Sequence, residues 1–149
     1  MTRIRCWPAA VTMVLLCGAP LPADLKRALA EPNLEKRSGL ALENASAALK
    51  SARAAYDKGD NDEVAKDAAE ILESVDLAAT SLTQSGKNPR RSDSFKKAEI
   101  STRDLSRRIE AFQEQMSYMD REMLDKLKAR VQQVHDQLLL GVMEGAKKK

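Results

Sequence analysis

Three methionines, Met116, Met119 and Met123, stand close together in the last third of the chain. Thioethers are soft donors, and such a group could hold a cuprous ion. The same i, i+3, i+7 spacing also belongs to a buried helical stripe, where methionine is a common filler. The single histidine, His135, lies twelve residues beyond Met123. Along a helix that is roughly 18 Å, too far to complete a site with the methionines in one chain. Four carboxylates, Asp57, Asp60, Asp62 and Glu63, gather around one turn. Their order lacks the D-x-[DN]-x-[DN]-G pattern of a calcium loop, and acids at a helix start complement its dipole. No G-x-S-x-G, phosphate-binding glycine loop or H-E-x-x-H is present, so no nucleophile or metal-hydrolase set is expected. The remaining cluster is cationic: Lys87, Arg90, Arg91, Lys96 and Lys97, with Lys147, Lys148 and Lys149 at the C-terminus. Such a set suits an anionic partner.

The elements that must carry these residues begin with a leader. Arg3 and Arg5 precede the apolar run Trp7–Leu16. A run of about ten is half of what a membrane span needs and fits a secretory signal peptide. Ala28-Leu29-Ala30 offers a cleavage site after Ala30, which we prefer; cleavage after Ala23 is the alternative and sits nearer the apolar run. We therefore assign residues 1–30 to the leader, 31–146 to the folded domain and 147–149 to a basic tail. Cys17 follows the large Leu16, which disfavours lipidation. Both cysteines, Cys6 and Cys17, lie in the leader, so the mature chain has no disulfide and no thiolate chemistry. The expected location is periplasmic or secreted.

Periodicity then predicts four helices, over about 33–58, 61–85, 94–117 and 120–141. Leu42, Ala45, Leu49, Ala52 and Tyr56 form one stripe, and Val64, Ala68, Ile71, Val75, Ala78 and Leu82 a second. Ala98, Thr102, Leu105, Ile109, Phe112 and Met116 form a third, and Leu124, Leu127, Val131, Val134 and Leu138 a fourth. Lys58-Gly59-Asp60 closes the first helix, and Asp60 with Glu63 forms a capping-box pattern for the second. Gly86-Lys87-Asn88-Pro89 stops the second, and Ser92 or Ser94 caps the third. Ser117–Asp120 has neither Gly nor Pro, so a continuous bent helix stays open there. Glu99–Arg103, Asp104–Arg108 and Glu122–Lys126 are i,i+4 pairs that would support the outer faces. Matched lengths and short connections predict an all-α, antiparallel up-down four-helix bundle of two long hairpins. The alanine-rich first hairpin should pack more closely than the second. Two separate hairpins, or a hairpin exchanged between protomers, are the competing arrangements.

Three resemblances bear on this. "ARAAYDKGDNDEVAKDAAEI", Ala52–Ile71, is similar to a single tetratricopeptide-like helix-turn-helix, through Ala52, Tyr56, Gly59-Asp60 and Ala68. No second copy follows 34 residues later, and repeats need neighbours to bury their faces. In architecture and size the chain resembles the exported four-helix bundle cytochromes. That raises haem, but the first two helices offer no Met or His as axial partner for His135, and no CxxCH occurs. The second half, "GKNPRR…QVHDQLLLG", resembles exported bacterial helical proteins without an assigned activity.

Charge supplies the functional expectation. Removing residues 1–30 leaves 21 basic and 21 acidic side chains, so global basicity does not argue for nucleic acid. Residues 31–85 are net −5 and residues 86–149 net +5. In an up-down bundle the 86–94 loop and the C-terminus share one end, giving a cationic pole, and the carboxylate turn gives an anionic one. We expect a non-enzymatic interaction or structural module of the bacterial envelope, without cofactor or nucleic acid. Its partner would be a protein or an anionic envelope component, and self-association pole to pole is a further option. A ligand-binding bundle, for copper through the methionines or for haem, is the alternative.

Overall fold

The computed structural model describes residues 25–144. The apolar run, both cysteines, Ala23 and the Lys147–Lys149 tail lie outside them. The protein is all-helical, with no strand among the described residues. A short helix α1 (Leu25–Leu29) leads into α2 (Leu34–Asp57), α3 (Asn61–Gln84) and α4 (Asp93–Gln115). A 3-10 turn (Arg121–Leu124) then opens α5 (Asp125–Glu144).

Local chemistry explains most of these limits. The Asn33 side chain accepts the Lys36 amide at 3.0 Å and starts α2. Gly59 (φ +77°) and Gly86 (φ +64°) end α2 and α3 in the left-handed region, where a Cβ would be strained. Asp60 accepts the Glu63 amide at 3.0 Å, but the capping box is only half made. The Glu63 carboxylate holds Lys66 at 2.9 Å instead, and the Asp60 amide donates to the Ala55 carbonyl. Ser92 stands at the N-cap of α4 without making a cap bond; its hydroxyl instead donates to Glu35 of α2 at 3.2 Å.

The weak break between the third and fourth stripes is a real turn. Met116 leaves α4 in an extended conformation (ψ 154°), and α5 begins at Asp125 rather than near 120. Two of the expected pairs form, Glu99–Arg103 at 3.7 Å and Asp104–Arg108 at 3.8 Å. Glu122 belongs to the 3-10 turn and not to α5, so its expected register with Lys126 is lost.

One core runs along the molecule. Leu49, Ile71, Val75, Leu82, Ile109, Phe112, Leu127 and Val131 are fully buried. Each such side chain contributes about 1.5–3 kcal/mol relative to an exposed one. Ala41, Ala45, Ala48 and Ala52 are buried on α2, and side chains this small let α2 approach α3 closely. That pair accordingly runs closer along its length than α4 and α5, whose seam holds Leu105, Ile109, Phe112, Leu127 and Val134. Close approach also buries polar groups. Asp67, Ser74 and Ser81 recur every seven residues on α3 and are nearly inaccessible. Asn44 Nδ2 donates to Glu70 Oε1 at 2.8 Å and to Ser74 Oγ at 3.0 Å, tying α2 to α3. Burial pushes the Asp67 carboxyl above the usual carboxylate range, opposed by a bond from Ser51.

The short α1 falls inside the thirty residues assigned to the leader. It packs on α2, Ala28 is 2% exposed and Leu25 lies against the core. Just beyond it, Arg37 Nε donates to the Glu31 carbonyl at 2.8 Å.

Candidate functional site

Two sets of contacts decide which loops meet. At one end, the Gly141 backbone lies so near Pro89 that a Cβ there would sit 3.3 Å from the proline ring. Lys87 Nζ also pairs with the Glu35 carboxylate of α2. The α3–α4 loop therefore sits beside the end of α5 and the start of α2. Glu35 is held below the usual carboxylate range by Lys87, then by Ser94 and Ser92. At the other end, Tyr56 Oη donates to Asp120 Oδ2 at 3.1 Å and accepts the Ser117 amide at 2.8 Å. Asn61 reaches the same Asp120 carboxylate. The α2–α3 turn thereby holds the turn after α4.

These contacts bring Lys87, Arg90, Arg91, Lys96 and Lys97 to one end. Lys87 is paired with Glu35, and Lys96 lies 3.8 Å from Asp93. Arg90, Arg91 and Lys97 are exposed and make no ion pair among the described residues. Lys147, Lys148 and Lys149 lie outside the described residues. Four further cations stand at this end, Lys26 and Arg27 on α1 and Lys36 and Arg37 on α2; the first two fall in the segment assigned to the leader, and the other two are hidden in the net −5 of residues 31–85. Residues 25–37, 81–97 and 140–144 together hold nine basic and four acidic side chains, net +5. Residues 54–66 and 110–126 hold four basic and nine acidic, net −5.

The placement of these charges is informative. A helix N-terminus disfavours cations and a C-terminus favours them, by about 0.3–1 kcal/mol each. Yet Lys36, Arg37, Lys96 and Lys97 sit at the starts of α2 and α4. None of the four long helices has a basic residue in its last turn. Asp57 ends α2 and Glu114 stands near the end of α4, again against the dipole. Helix stability therefore does not account for the positive end, nor for all of the negative one. Asp60, Asp62 and Glu63 do serve the start of α3, as dipole arguments expect.

The methionines separate. Met116 is 2% exposed, Met119 is 81% exposed, and Met123 packs partly against the core. Their helical spacing loses its meaning because the chain leaves the helix at Gln115. His135 is buried on α5, with Nδ1 3.8 Å from the Glu99 carboxylate of α4. Glu99 escaped the sequence reading because its i,i+4 partner Arg103 marked it as a surface residue. It in fact faces both groups.

One further feature has no counterpart in the sequence reading. A groove of about 1050 Å³ opens between α2 and α4, with Leu40, Ile100 and Leu105 among its apolar residues. Its rim mixes Glu35, Glu43 and Asp104 with Lys97 and Arg108, so it presents no single charge. No group of three or more His, Cys, Asp or Glu side chains suited to a metal occurs among the described residues. No helix there is long and apolar enough to cross a membrane. No protein-family model matches the chain, and neither a curated protein nor a solved structure matches it.

Proposed function

We propose that the chain is an exported, non-enzymatic interaction module of the bacterial envelope. In this reading α2–α5 form an antiparallel up-down four-helix bundle of two hairpins, and its cationic pole engages an anionic partner. The observation that carries the reading is the exposed cluster of Arg90 and Arg91 in the α3–α4 loop with Lys96 and Lys97 near the start of α4. Lys96 and Lys97 oppose the dipole of α4, so a role in binding explains them better than a role in folding, and Arg90 and Arg91 extend the same exposed patch. The anionic surface of a phospholipid membrane fits such a pole, each nearby Lys or Arg adding about 1 kcal/mol of attraction.

Export rests on the leader. We place cleavage after Ala23, because removal after Ala30 would strip away α1, whose Ala28 is buried against the core. The mature protein then begins at Asp24 and keeps Lys26 and Arg27 beside the cationic pole.

Cosedimentation of the mature protein with vesicles tests the reading. Vesicles containing anionic phospholipid should retain the protein at low ionic strength and release it as salt rises. Vesicles of neutral lipid should not retain it. Equal retention by both, or binding indifferent to salt, would remove the electrostatic reading.

A further inference from the structure

The negative end has a feature that charge alone does not explain. The turn after α4 is tightly braced. Ser117 Oγ donates to Asp120 Oδ2 at 2.7 Å, and the Asp120 amide donates to the Ser117 carbonyl at 3.1 Å. Arg121 Nε donates to the Met116 carbonyl at 3.3 Å, and Gln113 Nε2 to the Arg121 carbonyl at 3.0 Å. Tyr56 and Asn61 hold the turn from the neighbouring helices. Yet its two central side chains, Tyr118 and Met119, are 84% and 81% exposed, the most exposed large apolar residues described.

A single exposed apolar residue is ordinary. Two adjacent ones on a fixed turn are different: the backbone that carries them is already ordered in the free protein, which lowers the cost of binding. Tyrosine is also a residue type enriched where interfaces concentrate their energy. The surroundings of this tip are net −5. A matching surface must therefore offer cations around apolar side chains. This chain carries one at its other end, net +5, where Leu29, Leu140 and Met143 are each more than half exposed.

We infer that the Tyr118–Met119 tip of one copy docks on the cationic pole of a second copy, joining chains head to tail. This rests on reading the poles as interaction surfaces. Such a contact is heterologous, and because tip and pole lie at opposite ends of the molecule it extends into a string, whose last copy keeps one free cationic pole for its anionic partner. Each copy adds about 36 Å of length, from 24 residues in α2 at ~1.5 Å each. The tips are small, so the contact is weak and its strength depends on salt.

The test is sedimentation velocity on the mature protein over a concentration series at ~10 mM and ~1 M salt. Two variants leave the braces intact: Tyr118→Ser/Met119→Ser at the tip and Arg90→Gln/Arg91→Gln at the pole. The wild type should grow in mass with concentration at low salt and return to monomer at high salt. Each variant alone should stay monomeric. Their mixture should give a dimer and nothing longer, because only one intact tip meets one intact pole. A wild type that stays monomeric at low salt would overturn the inference. So would a self-association that both variants retain, or variants whose mixture forms no dimer. Vesicle binding by the tip variant separates the two proposals, since that variant keeps the cationic pole. Binding retained while assembly is lost supports both, and binding lost with the tip alone overturns the assignment of surfaces.

Discussion

Removing the hydroxyl of Tyr56 should loosen one end of the molecule without touching its core. The Tyr56 ring packs edge-on against Phe112, with centroids 5.8 Å apart and planes at 80°. Phenylalanine keeps that contact. Its missing oxygen takes away the acceptor of the Ser117 amide at 2.8 Å and a donor to Asp120 Oδ2 at 3.1 Å. A hydrogen bond to a charged group contributes about 1.5–3 kcal/mol and a neutral one about 0.5–1.5 kcal/mol. Both lost partners lie near solvent and regain water, so we expect Tyr56→Phe to cost about 2 kcal/mol, near the lower end of the combined range. For a domain of this size that is a fall in Tm of roughly 6–12 °C. Urea denaturation followed by circular dichroism measures it, with a lower midpoint and an unchanged slope. Amide exchange at Ser117 should quicken at the same time. A variant within about 0.3 kcal/mol of the parent, with Ser117 equally protected, would refute the view that Tyr56 braces the turn.

Three other outcomes follow from particular residues. Gly59→Ala places a Cβ at φ +77° and should cost about 1–2 kcal/mol by thermal unfolding, although nothing crowds the position. Asp67→Asn should raise Tm at pH 7. Burial raises the folded-state pKa of this carboxyl, so its contribution is most favourable when protonated and worsens as pH climbs above the unfolded value of about 4. The gain should vanish below that pH; no gain at neutral pH would show that the site is wetter than its burial implies. Under the proposed export, mass spectrometry of the protein recovered from outside the cytoplasm should give a mature chain starting at Asp24. A start at Glu31 would mean that the α1 contacts are absent from the mature protein.

The helices were legible because apolar spacing and glycine turns are local signals. Leu42 to Tyr56 and Val64 to Leu82 mark their buried faces directly, and Gly59 and Gly86 mark the turns. What escaped was set by contacts between distant segments. Nothing local distinguishes Asp67 from a surface acid; it is buried because the alanines of α2 let that helix approach closely. Glu99 carried a surface signature and faces His135 only when α4 meets α5. The methionine spacing misled because Met116 ends its helix with no Gly or Pro to announce it. Tyr56 reads as a core residue in the stripe, while its hydroxyl serves a turn more than 60 residues away.

If the cationic pole is a binding surface, the position of charge and not its total decides binding. The most direct measurement compares Arg90→Gln/Arg91→Gln with Lys50→Gln/Arg107→Gln in the vesicle assay at low salt. Both variants lose two positive charges, but Lys50 and Arg107 stand on exposed sites along the shafts of α2 and α4. The pole variant should lose about 2 kcal/mol of binding, roughly 30-fold, and the shaft variant should bind nearly as the parent does. Equal losses in the two would contradict this, because binding would then follow net charge alone.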